Sequence, residues 1–348
     1  MTGKVQTVLG PIEPEEIGLT SMHEHIMIDF TVVFQGSPEA TLKKKAHESI
    51  SMKNLGWVRY DPFRSHENLQ LTDEDTAISE IALYKRSGGG TITELTTIGI
   101  RRDRVALANV SRSTGVHIVC GAGYYIGPSH PEDMDEKTIE EIEEQIVREV
   151  KTGIGDTGVQ AGIIGELGCM WPLWENERKV LIAAGRAQQR TGASILIHPG
   201  RDPDAPFEVM DILEGEGVEP SRIVMGHIGR TYTSLDEILK LAERGCYLEY
   251  DQFGLESSYF SYGVTEFPSD GTRLNFIKQI VDAGFGNRIV VGQDIFAKSQ
   301  LRRYGGYGYA HLTENIIPRM RERLTNQEVN DIMVENPKKV LTLEEPTV

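Results

Sequence analysis

Short apolar runs alternate with stretches of helical period along nearly the whole chain, and the runs are apolar on both faces, as strands of a buried parallel sheet are. After a turn-rich hairpin expected around Leu9-Gly10-Pro11, the first run leads into Ser21-Met22-His23-Glu24-His25. Seven more runs follow at 90–95, 116–123, 161–168, 193–198, 222–227, 246–251 and 288–294. Helices are expected between them over 72–88, 101–114, 135–152, 174–191, 205–214, 234–244 and 272–283, most of them running into a glycine that can form a left-handed C-terminal cap. Eight strands alternating with helices predict an α/β fold, a (β/α)8 TIM barrel, as one domain over 1–348. A doubly wound sheet is the competitor, but no Gly-x-Gly-x-x-Gly follows the first strand to seat a dinucleotide. The long insertion after strand one, about 31–71, carries Pro38, Lys43-Lys44-Lys45 and the segment 57–63, and its length points to a functional or lid-like element.

The C-terminal ends of barrel strands converge on one mouth. Strand one ends in His23 and His25, two apart and so on one face; strand four ends in Glu166, strand five in His198, strand six in His227 and strand eight in Asp294. A lone histidine on a strand is more often a hydrogen-bonded core residue. Six such groups at matching positions of five strands are a different matter, because buried imidazoles and carboxylates must be paired or metal-bound. His47, His66, His117, His130 and His311 are expected to be surface or structural, His311 being nearest the mouth.

Composition narrows the partners. Lys plus Arg is 36 and Asp plus Glu 52, a net charge of −16, which argues against nucleic acid or an anionic membrane surface as a partner. Cys120, Cys169 and Cys246 lack CxxC spacing and suit core thiols of a reducing compartment. The N-terminus has no signal pattern, and no run approaches the ~18 apolar residues of a membrane span, so a cytoplasmic protein is expected. The chain shows neither a Gly-x-Ser-x-Gly elbow nor a P-loop.

With His23-x-His25 on strand one, single histidines on strands five and six and an aspartate on strand eight, the chain resembles the phosphotriesterase branch of the amidohydrolase superfamily. The likeness to the phosphotriesterase-related proteins is carried further by 162–169, by Ile197-His198-Pro199-Gly200-Arg201 and by Glu335-Asn336-Pro337-Lys338-Lys339-Val340-Leu341, and it spans essentially the whole chain. The resemblance implies two divalent metal ions per chain, with His23, His25 and Asp294 on the more buried ion and His198 and His227 on the more exposed one. Many relatives bridge the ions with a carboxylated lysine on strand four; here Glu166 stands as the bridge. Imidazole and carboxylate donors suit zinc, with manganese, cobalt or iron as alternatives.

The same resemblance implies hydrolysis by a metal-bound hydroxide, with Asp294 and Glu166 as catalytic residues and Asp294 taking the proton. It points to a small anionic N-acyl substrate of the N-acetyltaurine type. Arg201 and Arg230, each three residues after a ligand histidine, together with Lys298 and Tyr125, are the expected substrate-binding residues; Tyr124 and the loop 304–309 could also line the pocket. Relatives in this branch often form a homodimer. A phosphotriesterase or lactonase using the same ions, and a catalytically silent binding barrel, are the alternative readings.

Overall fold

The computed structural model describes residues 2–348 except 257, 258, 260, 261 and 263–266. Eight parallel strands are ordered consecutively: β1 (Leu19–Glu24), β2 (Gly89–Glu94), β3 (His117–Ala122), β4 (Ile163–Gly168), β5 (Ile195–His198), β6 (Ile223–Met225), β7 (Tyr247–Tyr250) and β8 (Ile289–Val291). Beyond the end of β8 the amides of Gln293 and Asp294 donate to the His23 carbonyl at 3.2 and 2.9 Å, which draws the sheet shut into the expected barrel. Gly292 makes this seam: a Cβ there would lie 2.6 Å from His23 Cβ and 2.7 Å from its backbone nitrogen.

Seven helices follow β1 to β7 in turn: α1 (Glu74–Arg86), α2 (Arg104–Thr114), α3 (Ile139–Lys151), α4 (Glu175–Thr191), α5 (Ala205–Gly215), α6 (Leu235–Glu243) and α7 (Asp270–Ile280). Their boundaries are set locally. Asp73 and Asp103 accept the Thr76 and Ala106 amides at the starts of α1 and α2, Thr138 and Glu141 form a reciprocal capping box on α3, and Gly192 closes α4 at φ 71°. After β8 the chain runs through short helical segments to Asn336–Leu341.

Strand alternation sorts the core. On β5, Ile195 and Ile197 pack outward under the helices, while Leu196 belongs to a second, inner cluster with Val119, Ile163, Val224, Tyr247 and Val290. Val5 of the N-terminal hairpin, Val5–Thr7 paired with Gly10–Ile12, and the C-terminal Val340 and Leu341 complete that cluster at the bottom of the barrel. Arg222 ties the floor together, donating to the carbonyls of Gly192, Lys339, Val340 and Thr342. Residues 31–71 fold as short helices around Ala40–Ala46 and Leu55–Tyr60 and are fastened by pairing of Ile28–Asp29 with Gln70–Leu71. Cys120, Cys169 and Cys246 are free and buried. No helix of the described residues is long and apolar enough to cross a membrane.

Candidate metal centre

The six strand-end residues meet at the mouth. Glu166 lies at their centre: Oε2 is 3.2 Å from His23 Nε2, 3.1 Å from His198 Nδ1 and 3.3 Å from His227 Nε2, and Oε1 is 3.5 Å from His25 Nε2. Asp294 Oδ1 stands 3.5 Å from His25 Nε2 and 3.9 Å from His23 Nε2. Ligand atoms of His23, His25 and Asp294, and again of His23, Glu166 and His227, all fall within 4.8 Å of one another. His23 Nε2, fully buried, has no hydrogen-bond partner although two carboxylates flank it. Carboxylate oxygens and imidazole nitrogens pointing at one another's lone pairs, with an orphaned nitrogen among them, are the donor set of divalent cations.

The electrostatics divide the set. Burial opposes charge on Glu166, but His23 and His198 outweigh it and hold the carboxyl well below its ordinary range. Burial likewise opposes charge on Asp294, and the hydrogen bond to His25 with the charges of His23 and His227 outweighs it. Both are therefore anionic. Burial holds His198 far below the usual imidazole value and so neutral, whereas at His23, His25 and His227 the neighbouring carboxylates overcome burial and raise it. Two candidate ligands, His227 (φ 57°) and Asp294 (φ 52°), and Gln252 (φ 63°) after β7, occupy the left-handed region without being glycine. Each costs on the order of 1–3 kcal/mol, strain of a kind that clusters where function fixes geometry.

Behind the ligands lies a layer of groups that strand-end reasoning passed over. β7 supplies no ligand to these two groups, yet Glu249 Oε2 is 2.8 Å from His23 Nδ1, and Asp251 Oδ2 is 2.8 Å from His227 Nδ1 and accepts the His227 amide. Burial pushes the Glu249 carboxyl up to about 7. His25 is held less directly: Nδ1 meets Thr96 Oγ1 at 3.0 Å, Thr96 bonds Glu94, and the buried Arg104 pairs with Glu94 at 2.9 Å while donating to the Thr96 and Gly121 carbonyls. Such partners fix the imidazole's orientation and tautomer. The signal was present in the alternation of β7, which puts Glu249 and Asp251 on one face.

His25, His198 and Asp294 form the floor of a cavity of about 340 Å³. Phe30, Val33, Phe63, Ile126 and Phe296 supply apolar walls, so the insertion contributes a wall through Val33 and Phe63. Tyr125, Arg201 and Arg230 all line it. Tyr125 Oη is 3.4 Å from His198 Nδ1, and burial raises the phenol well above its ordinary value, so it keeps its proton. Arg230 is buried and donates to the Pro199 carbonyl at 2.9 Å; burial, then the like charge of Arg201, lowers its pKa to about 9, still cationic at neutral pH.

Lys298 is a different case. It does not line this cavity but pairs with Glu67 at 3.1 Å, beside a separate small hollow. Tyr124 points away as well, donating to Gln145 at 2.6 Å, and none of Tyr304, Tyr307 and Tyr309 lines the cavity. His311 pairs with Asp270 at 2.8 Å and stacks on Tyr307.

Known proteins share this architecture throughout. The model of the phosphotriesterase family matches residues 3–341. An N-acetyltaurine hydrolase from Dictyostelium discoideum is 42% identical, covering 98% of this chain and 98% of its own length, and one from Salmo salar is 43% identical, covering 98% and 99%. The crystal structure of a resiniferatoxin-binding protein from Rhodobacter sphaeroides matches with a TM-score of 0.94 at 36% identity, covering 97% of this chain and 95% of that one. Matches that run from the hairpin to the last helix, around a mouth built of imidazoles and carboxylates, place the chain in the phosphotriesterase family of metal-dependent hydrolases.

Proposed function

We propose that this hydrolase cleaves the amide of N-acetyltaurine and related N-acetyl amino acids at a binuclear centre held by His23, His25, Glu166, His198, His227 and Asp294. The observation that carries the substrate class is the placing of two arginines, Arg201 and Arg230, in a mostly apolar cavity of a protein whose net charge is −16. A guanidinium pair beside carboxylate and imidazole ligands suits a substrate with a sulfonate or carboxylate tail, whereas an uncharged phosphotriester or lactone has no use for it. The curated relatives named as N-acetyltaurine hydrolases support the same choice.

Divalent cations bound here, zinc for preference, would polarise the scissile carbonyl and bring the pKa of water to near neutrality. Glu166, with one oxygen toward His25 and the other toward His23, His198 and His227, would help to hold such cations and supply a negative charge between them. Arg201 and Arg230 hold the anionic tail and so fix the amide over the floor. Tyr125 keeps its proton and offers an O–H donor toward the carbonyl oxygen. Asp294 takes the proton of the attacking water and passes it to the departing amine; Gln252, donating to Oδ2 at 3.3 Å, steadies the carboxylate for both transfers.

The decisive experiment compares turnover of N-acetyltaurine, a lactone and an aryl phosphotriester by the metal-loaded protein. N-acetyltaurine should lead in kcat/KM by on the order of 100-fold. A lactone or phosphotriester that matches or exceeds it overturns the substrate assignment. Metal analysis should give two ions per chain, and activity should be indifferent to added bicarbonate, since a glutamate bridge needs no carbamylation.

A further inference from the structure

Between the two ligand histidines of β1 sits Glu24, fully buried and given no task by the chemistry above. Its side chain turns away from the ligands and grips the segment that carries Asp294. Oε1 accepts the Gln293 amide at 3.2 Å, Gln293 Nε2 at 3.1 Å and Ser21 Oγ at 2.6 Å; Oε2 accepts the Ile295 amide at 3.1 Å. The two backbone donors flank Asp294 on either side. The same segment is tied to β1 through its main chain, His25 N donating to the Ile295 carbonyl at 3.2 Å and Asp294 N to the His23 carbonyl at 2.9 Å. None of the side-chain and backbone donors on Glu24 carries a charge, so this buried carboxylate is held by geometry and not by an ion pair.

We infer that Glu24 is a positioning residue: a buried strap that holds the Gln293-Asp294-Ile295 segment in its left-handed bend and so aims the Asp294 carboxylate at His23 and His25. The reasoning is steric and stoichiometric. Asp294 occupies a backbone conformation that non-glycine residues avoid, and such a conformation persists only where the surroundings over-determine it. Four donors converging on one carboxylate provide that determination. A glutamine of the same shape cannot replace it, because its amide nitrogen, at either oxygen position, faces an N–H it cannot accept.

The inference rests on the metal centre proposed above, and the test separates the two. Cobalt(II)-loaded wild type, E24Q and E80Q are compared for cobalt affinity by chelator competition, for the visible cobalt spectrum, for kcat and KM, and for thermal stability. Glu80 is the control, a buried carboxylate that likewise accepts two backbone amides, of Arg302 and Arg303, on a segment that bears no ligand. E24Q should bind cobalt about tenfold or more weakly, shift the cobalt absorption and lose kcat with KM little changed. E80Q should lose stability while leaving affinity, spectrum and kcat as in wild type.

An E24Q protein whose cobalt affinity, spectrum and kcat match wild type overturns the strap, whatever its melting temperature. Should E24Q fail to fold, Q293M decides. It removes one donor to Oε1, together with the bond from Gln293 Nε2 to the Tyr309 carbonyl, and should shift the same three readouts in the same direction by a smaller factor; unchanged values overturn the inference. Wild type that takes up no cobalt would instead end the reading of the metal centre itself.

Discussion

The two ends of the barrel are built from the same eight strands and answer to opposite demands. At the bottom, Val5, Ile163, Leu196, Val340 and Leu341 are apolar and buried, and Arg222 clamps four backbone carbonyls and the Glu344 carboxylate. At the mouth, carboxylates and imidazoles crowd one another, and three non-glycine residues sit at positive φ. One end lowers the free energy of the fold; the other spends some of it to hold a reactive geometry. Substitutions should therefore separate cleanly into those that cost activity and those that cost stability.

The largest expected effect is at the mouth. Asp294→Asn or Glu166→Ala should lower kcat/KM on the order of 10³-fold or more, as should stripping the metal with a chelator, while circular dichroism and melting temperature stay close to wild type. Loss of fold in these variants would dissolve the contrast. At the bottom, Leu341→Ala should cost about 2–5 kcal/mol in denaturant unfolding and leave kcat per folded molecule unchanged. The cavity comes next: Arg230→Ala and Arg201→Ala should each raise KM for an anionic N-acyl substrate by about 10–100-fold and barely alter turnover of a neutral amide. Unchanged KM in both would remove the tail-binding assignment.

Smaller effects sharpen the picture. Thr96→Val cuts the link from His25 to Glu94 without changing shape and should weaken metal binding about tenfold, read by chelator competition. The mildest effect concerns Asp270. Burial would raise its pKa, but His311 and the Gly254 amide outweigh that and hold it below the ordinary aspartate range. A carboxyl depressed in the folded state contributes stability that is present above its unfolded value and lost as pH falls through the folded one. Asp270→Asn should thus lower stability near neutral pH and flatten the acid limb of the stability curve; an unaltered acid limb would assign that limb to other groups.

Much of this was legible in the residues. The alternation of apolar runs and helical stretches gave the eight strands and their order, though the sixth and eighth end at Met225 and Val291, short of His227 and Asp294; the four histidines meet at Glu166, and Asp294 stands beside His23 and His25. What sequence did not yield was orientation. Lys298 follows Asp294 by four residues, but the helical turn Lys298–Gln300 carries it toward Glu67 and out of the cavity. Glu249 and Asp251 escaped notice because β7 ends without a histidine, and Glu24 because a residue between two candidate ligand histidines draws attention only to its neighbours. The alternation of β7 puts Glu249 and Asp251 on one face, but which histidine each meets depends on side-chain direction, which the one-dimensional pattern does not contain.

The seam at Gly292 carries a consequence of its own. β8 and β1 approach so closely there that even a methyl group would strike the backbone and Cβ of His23. An alanine at 292 would wedge the ring open at the one join that sets how far Asp294 stands from the histidines of β1. Directed evolution that reshapes the cavity has latitude in its aromatic walls, but none at this position, where the smallest addition disturbs the spacing of Asp294 from His23 and His25.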